Sequence, residues 1–120
     1  MVAYRNEINH QWERQHVLQQ WRAGLLRREE ICDADFILVT ASTFHGGPAG
    51  YPCPICGSDR LRSVEWIYGE DLGRMSGTAR NLEEIEEIVQ RYPEITVHTV
   101  EVCPACRWNF LMKACTAVAG

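Results

Sequence analysis

The sequence predicts an α+β fold: an N-terminal helical segment packed on a zinc-ribbon-like β-unit, with one helix inserted between the strands of that unit. Three observations predict it. Two Cys-x-x-Cys pairs, Cys53-Pro54-Ile55-Cys56 and Cys103-Pro104-Ala105-Cys106, each adjoin a β-prone run. Between those runs lies one amphipathic helical stretch. The N-terminal part instead shows helical spacing, and His45-Gly46-Gly47-Pro48-Ala49-Gly50 breaks the chain after it. The expected division is a helical segment over 1–46 and a zinc-ribbon-like domain over 51–120.

Residues Asn9 to Leu26 read as helix, because Val17, Leu18, Trp21 and Leu25 recur at three-to-four-residue spacing between polar residues. Gly24 weakens or ends it. Arg27 to Cys32 reads as a short helical turn. Asp33 or Asp35 then caps a segment from Phe36 to Phe44. Ile37-Leu38-Val39-Thr40 is β-prone, yet the acidic start and the length favour a buried helix.

After the first cysteine pair, Leu61 to Tyr68 reads as a strand. Gly69 to Arg80 is a polar loop with three glycines. Asn81 followed by Glu84 forms a helix-start signature. Leu82, Ile85, Ile88, Val89 and Tyr92 make one apolar face of a helix over about 82–92, which Pro93 closes. Glu83, Glu84, Glu86 and Glu87 occupy its solvated side. Ile95 to Val102 alternates as a strand and runs into the second cysteine pair. The two strands are expected to pair antiparallel and bring the cysteine pairs together.

Four cysteines in two such knuckles supply a closed four-sulfur shell, so one structural zinc ion bound by Cys53, Cys56, Cys103 and Cys106 is the expected cofactor. Four thiolates also suit iron, which leaves the metal open between the two. A closed shell keeps no position for substrate, and no Ser/His/Asp or Cys/His set stands out, so no enzyme and no small-molecule substrate are expected. Cys32 and Cys115 read as buried, inert thiols, and His45 and His98 as ordinary loop and strand histidines. Trp108 is expected to pack over the metal site.

The formal net charge is −4, and thiolates around a divalent ion make the loaded chain more acidic still. This argues against strong non-specific binding to duplex DNA. Met1 to Gln11 is polar and lacks the apolar core of an export signal, and the apolar tail, Phe110 to Ala119, is too short to span a bilayer. A cytoplasmic protein with reduced thiols and no membrane association is expected.

Partner binding has five candidate residues. Arg74 and Arg80 in the glycine-containing loop offer two guanidinium forks. Among four tryptophans that mostly belong in the core, Trp12 is the best candidate for an exposed anchor, although burial is the commoner fate of such a residue, and Arg27 and Arg28 sit near a turn.

Several motifs carry a family resemblance. They are Leu26-Arg27-Arg28-Glu29-Glu30-Ile31-Cys32-Asp33-Ala34, the Cys53-Pro54-Ile55-Cys56 knuckle, Tyr68-Gly69-Glu70-Asp71-Leu72 with Ser76-Gly77, and Val100-Glu101-Val102-Cys103 through Trp108-Asn109. With these the chain resembles a family of small actinobacterial zinc-ribbon proteins known only as a domain of unknown function. The resemblance covers most of the chain and implies a cytosolic zinc-binding protein with no established activity. In that family a histidine often follows Trp-Asn, where this chain has Phe110. The expected function is a non-enzymatic zinc-binding adaptor that docks on a larger cytosolic assembly such as RNA polymerase or the ribosome. The alternatives are direct nucleic-acid binding through a helix-turn-helix-like unit spanning Val17 to Phe44, and a thiol redox factor.

Overall fold

In the computed structural model, which describes residues 1–120, the chain folds as helices on a single antiparallel sheet. The strands are β1 (Val2–Asn9), β2 (Gly47–Pro48), β3 (Arg62–Tyr68), β4 (Thr78–Ala79), β5 (Ile95–Val102) and β6 (Asn109–Ala119). The helices are α1 (Gln11–Arg22), α2 (Arg28–Ile31), α3 (Phe36–His45) and α4 (Leu82–Arg91). The sheet order is β1-β6-β5-β3-β2, and β4 pairs with the same edge of β3 as β2. No helix is long and apolar enough to cross a membrane.

The segment 1–46 is not helical throughout, as the sequence suggested: it opens with β1, which pairs antiparallel with β6 from Val2↔Ala119 to Asn9↔Lys113. β1 is an edge strand with mostly exposed side chains, so it lacks a strong alternating signature. A register shift between Arg5 and Ile8 accompanies Asn6 in the left-handed region (φ 55°), which asparagine tolerates better than most residues. β6 was the apolar tail. It lies between β1 and β5, and its half-buried to buried side chains on both faces blur the period of two.

α1 is shorter than expected. Gly24 adopts φ 77°, the left-handed conformation that follows helix ends, and Leu25 is 73% exposed rather than on the apolar face. Leu18 is the one buried residue of α1. α3 is a helix despite its β-prone core, with the Asp35 carboxylate accepting the Leu38 N–H at 2.7 Å. Arg62 caps its far end, donating from Nε to the Ser42 carbonyl at 3.0 Å and from Nη2 to the Gly46 carbonyl at 2.7 Å. α4 carries the predicted reciprocal cap: Glu84 N–H donates to Asn81 Oδ1 at 2.8 Å, and Asn81 N–H donates to Glu84 Oε1 at 3.1 Å. Leu82, however, is 61% exposed and leaves the buried face to Ile85, Ile88 and Val89. Burying each of these three contributes roughly 1.5–3 kcal/mol relative to exposure.

Opposed strand residues share a face, which places the helices. Ile67, Val97 and Cys115 stand opposite one another and pack against α4. Val64, Val102 and half-buried Val100 pack with Ala34 and with Leu38, Val39 and Ala41 of α3 on the other face. The stretch Gly69 to Arg80 is ordered rather than a loose polar loop. A 3-10 segment (Glu70–Met75) buries Leu72, and β4 buries Ala79.

Candidate metal centre

The pairing Arg62↔Val102↔Asn109 puts the start of β3, the end of β5 and the start of β6 at one end of the sheet. The first knuckle enters β3 there, and the second joins β5 to β6. In the first, Gly57 N–H donates to the Cys53 carbonyl at 3.0 Å and Ile55 N–H to Cys53 Sγ at 3.4 Å. In the second, Arg107 N–H donates to the Cys103 carbonyl at 2.8 Å and Trp108 N–H to Cys106 Sγ at 3.4 Å. Such amide donors stabilise thiolate charge.

The residue after each second cysteine lies in the left-handed region, Gly57 at φ 74° and Arg107 at φ 71°. Glycine adopts that conformation without penalty, whereas arginine must be held in it. Two bonds to Ala34 do so: Arg107 Nε donates to the Ala34 carbonyl at 2.6 Å, and Ala34 N–H donates to the Arg107 carbonyl at 3.0 Å. The same pair of bonds fixes the α2–α3 connection against the second knuckle.

The four sulfurs of Cys53, Cys56, Cys103 and Cys106 lie within 4.8 Å of one another. Cys53 and Cys106 are 3.7 Å apart, as are Cys56 and Cys103. A tetrahedral ion with metal–sulfur bonds of about 2.3 Å needs sulfur–sulfur edges of about 3.8 Å. The donor set therefore fits a single four-coordinate metal ion. Burial pushes the Cys53 and Cys106 thiols up. Burial also acts to raise Cys56, but the Ser58 backbone and the Cys103 thiol hydrogen-bond to it and leave it lowered. Crowded thiols that resist ionisation together release their protons when a cation shares their charge.

Trp108, 1% exposed, packs with Leu18, Leu61, Cys53 and Cys103, as expected for a residue walling the site. Phe110 stacks on it, with ring centroids 5.9 Å apart and planes at 13°. Behind this wall sits Glu101, a buried carboxylate that sequence reading did not single out. It accepts from Trp108 Nε1 at 2.7 Å, Arg14 Nε at 3.0 Å and Arg14 Nη2 at 3.3 Å, and from the Tyr51 hydroxyl. Tyr51 is pushed up to about 12, first by burial and then by its bond to Glu101. This network ties α1 and the first knuckle to β5.

A model of one protein family matches residues 1–119. The chain belongs to that family, a family of unknown function (DUF5318). This DUF5318 chain is 43% identical over 101 residues to uncharacterized protein Rv0049 of Mycobacterium tuberculosis, a match covering 84% of this chain and 74% of that protein. Uncharacterized protein Mb0050 of Mycobacterium bovis matches with the same identity and coverage. No solved structure matches the chain.

The other candidate residues are spread over the DUF5318 fold. Trp12 is 84% exposed on α1. Arg27 is exposed and ion-paired to Glu30 at 3.8 Å. Arg28 is exposed, and against the opposing effect of desolvation the neighbouring Cys32 and Cys106 sulfurs hold its guanidinium above the ordinary value. Arg80 is engaged locally, with Glu84 at 3.2 Å and Thr78 at 3.1 Å, whereas Arg74 is exposed and unpaired. Cys115 is buried as expected. Cys32 is not: it is half-exposed, and its sulfur stands 3.8 Å from that of Cys106.

One feature of α3 went unread in the sequence. Phe36, Ile37 and Phe44 are 83%, 70% and 78% exposed. With Thr40 and Trp66 they line an open groove of about 380 Å³. The available signal was a ten-residue helix carrying more apolar side chains than one face can bury.

Proposed function

We propose that this protein is a non-enzymatic adaptor whose sheet is stapled by one structural zinc ion and which docks on a larger assembly through α3. The observation that carries the reading is the closed sulfur shell at one end of the sheet, set apart from the apolar groove on α3. A shell with four protein thiolates leaves no position for a substrate, which suits a structural ion. The close sulfurs favour a single ion over an iron–sulfur cluster, which interposes iron and sulfide and spreads its ligands.

An unpartnered run of Phe36, Ile37 and Phe44 is costly on a free surface and suits a protein contact. It suits DNA reading poorly, since a helix in the major groove needs donors and cations on its outer face. The partner class we propose is a large assembly such as RNA polymerase or the ribosome.

The test is affinity purification of the tagged chain from its host, with metal analysis of the same sample. One zinc per chain and a stoichiometric protein assembly support the reading. Zinc with no protein partner would remove the adaptor half and leave the staple. Recovery of nucleic acid that dissociates with salt would replace it with the nucleic-acid reading.

A further inference from the structure

Five sulfurs, not four, gather at the metal end of the sheet. Cys32 follows α2 and sits outside the four-sulfur shell, yet its Sγ lies 3.8 Å from Cys106 Sγ, in hydrogen-bonding geometry with Cys32 as donor. That distance matches the 3.7 Å separations within the shell. The backbone N–H of Cys32 donates to the Arg28 carbonyl at 2.9 Å, which sets the Arg28 side chain one helical turn away. Cys53 and Cys103 are buried, Cys32 and Cys106 are half-exposed, and Cys56, which has no fifth sulfur beside it, is exposed.

We propose that Cys32 and Cys106 form a peroxide-reactive thiol pair at the accessible corner of the metal centre. This rests on the metal reading above, both for the thiolate form of Cys106 and for the consequence to the ion. In the first step the Cys106 thiolate attacks one oxygen of hydrogen peroxide. The O–O bond breaks, hydroxide leaves, and Cys106 becomes a sulfenic acid. In the second step the Cys32 sulfur attacks Cys106 Sγ. The S–S bond forms, the S–O bond breaks, and water leaves with the Cys32 proton. The two cysteines give two electrons to the peroxide, and the products are one disulfide, one water and one hydroxide.

Three features single out this pair. Cys32 is not a metal ligand, so its sulfur is free to attack while the ion still holds the other three. A Cys32–Cys106 bond takes one ligand from the ion, whereas a bond inside the shell takes two. Closing a 3.8 Å gap to a bond of about 2.05 Å requires only a small movement of two half-exposed side chains.

The experiment uses the full chain, with metal content measured first. Hydrogen peroxide is added at a slight molar excess and metal release is followed with a coloured chelator. Thiols are then alkylated, and the protein is digested without reduction for mass spectrometry. A linked Cys32–Cys106 peptide is expected as the first product. Cys32→Ser retains all four ligands and is expected to bind metal as wild type does but release it about fivefold more slowly under peroxide. Its Cys106 is expected to accumulate as sulfenic acid, trapped by dimedone, or as sulfinic acid. A first disulfide among Cys53, Cys56, Cys103 and Cys106, with Cys32 alkylated, would overturn the proposal, as would equal release rates. Peptide mapping judges the pair in wild type alone, should Cys32→Ser fold poorly. Absence of metal before peroxide would defeat the metal reading, and the same mapping would still decide the thiol pair.

Discussion

Glu101, 1% exposed on β5, accepts the indole N–H of Trp108 at 2.7 Å, so the wall of the metal centre is hydrogen-bonded to a buried carboxylate. Arg14 supplies the opposite charge from α1, donating from Nε at 3.0 Å and Nη2 at 3.3 Å. A buried ion pair of this kind adds little net stability against an apolar substitute, but breaking one side leaves a charge without a partner. Arg14→Met is therefore expected to cost about 3–5 kcal/mol. Glu101→Gln keeps an acceptor for Trp108 but leaves Arg14, 12% exposed, without a counter-charge, so a comparable loss is expected. Urea unfolding followed by tryptophan fluorescence measures both. Small losses in both would mean that the network is not holding α1 to the sheet.

Gly46 and Gly57 look alike in sequence but are expected to fail differently. A Cβ at Gly46 would meet the Ser42 carbonyl oxygen at 2.6 Å and the Ser63 carbonyl oxygen at 2.7 Å, both backbone atoms. Gly46→Ala must therefore push α3 away from β3, an overpacking cost of about 1–3 kcal/mol. At Gly57 a Cβ meets nothing within 4 Å, and only the φ of 74° resists a side chain. Gly57→Ala is expected to cost about 1–2 kcal/mol through the backbone alone, and Gly57→Asn less. Hydrogen exchange separates the two: Gly46→Ala should expose α3 amides, and Gly57→Ala should leave them protected.

The features legible in the sequence were the local ones. The cysteine pairs, the Asn81–Glu84 cap and the alternation of Ile95 to Val102 each declare themselves within a few residues, and each stands where expected. What the sequence concealed depends on partners far along the chain. β1 has little strand character of its own and is fixed by β6, more than a hundred residues later. Glu101 is an unremarkable strand residue until Arg14, Tyr51 and Trp108 converge on it. Cys32 reads as an isolated thiol because nothing local reveals that Ala34 and Arg107 bind α2 to the second knuckle.

The cap of α4 makes a pH prediction. The Asn81 backbone N–H holds the Glu84 carboxyl below its ordinary value; burial opposes it, and the hydrogen bond and charge of Arg80 act with it. A carboxyl depressed in the folded state adds stability that is present above its unfolded value near about 4.3 and is lost as pH falls through the lower folded value. Wild type minus Glu84→Gln is therefore expected to show a stability difference at neutral pH that shrinks below about pH 4. Taking the difference cancels proton competition for the metal ligands, which both proteins share. A gap that stays constant with acid would mean that Glu84 acts by geometry rather than charge. Asn81→Ala removes the other half of the cap and is expected to cost about 1 kcal/mol at any pH.

Phe36 and Phe44 separate docking from folding. Both stand on the outer face of α3, while Leu38, Val39 and Ala41 pack against the sheet and Ser42 is fully buried. Because the two rings contribute little burial, Phe36→Glu with Phe44→Glu is expected to change stability by no more than about 0.5 kcal/mol per site. Metal content should be unaltered, since the cysteines lie at the end of the sheet and none lines the groove. The partner recovered from host lysate should be lost. Leu38→Glu serves as the contrast, because it places a charge against Val64 and Val102 and is expected to destabilise the fold itself. A double glutamate variant that keeps its metal, its stability and its partner would move the docking surface elsewhere, with exposed Trp12 on α1 the next residue to change.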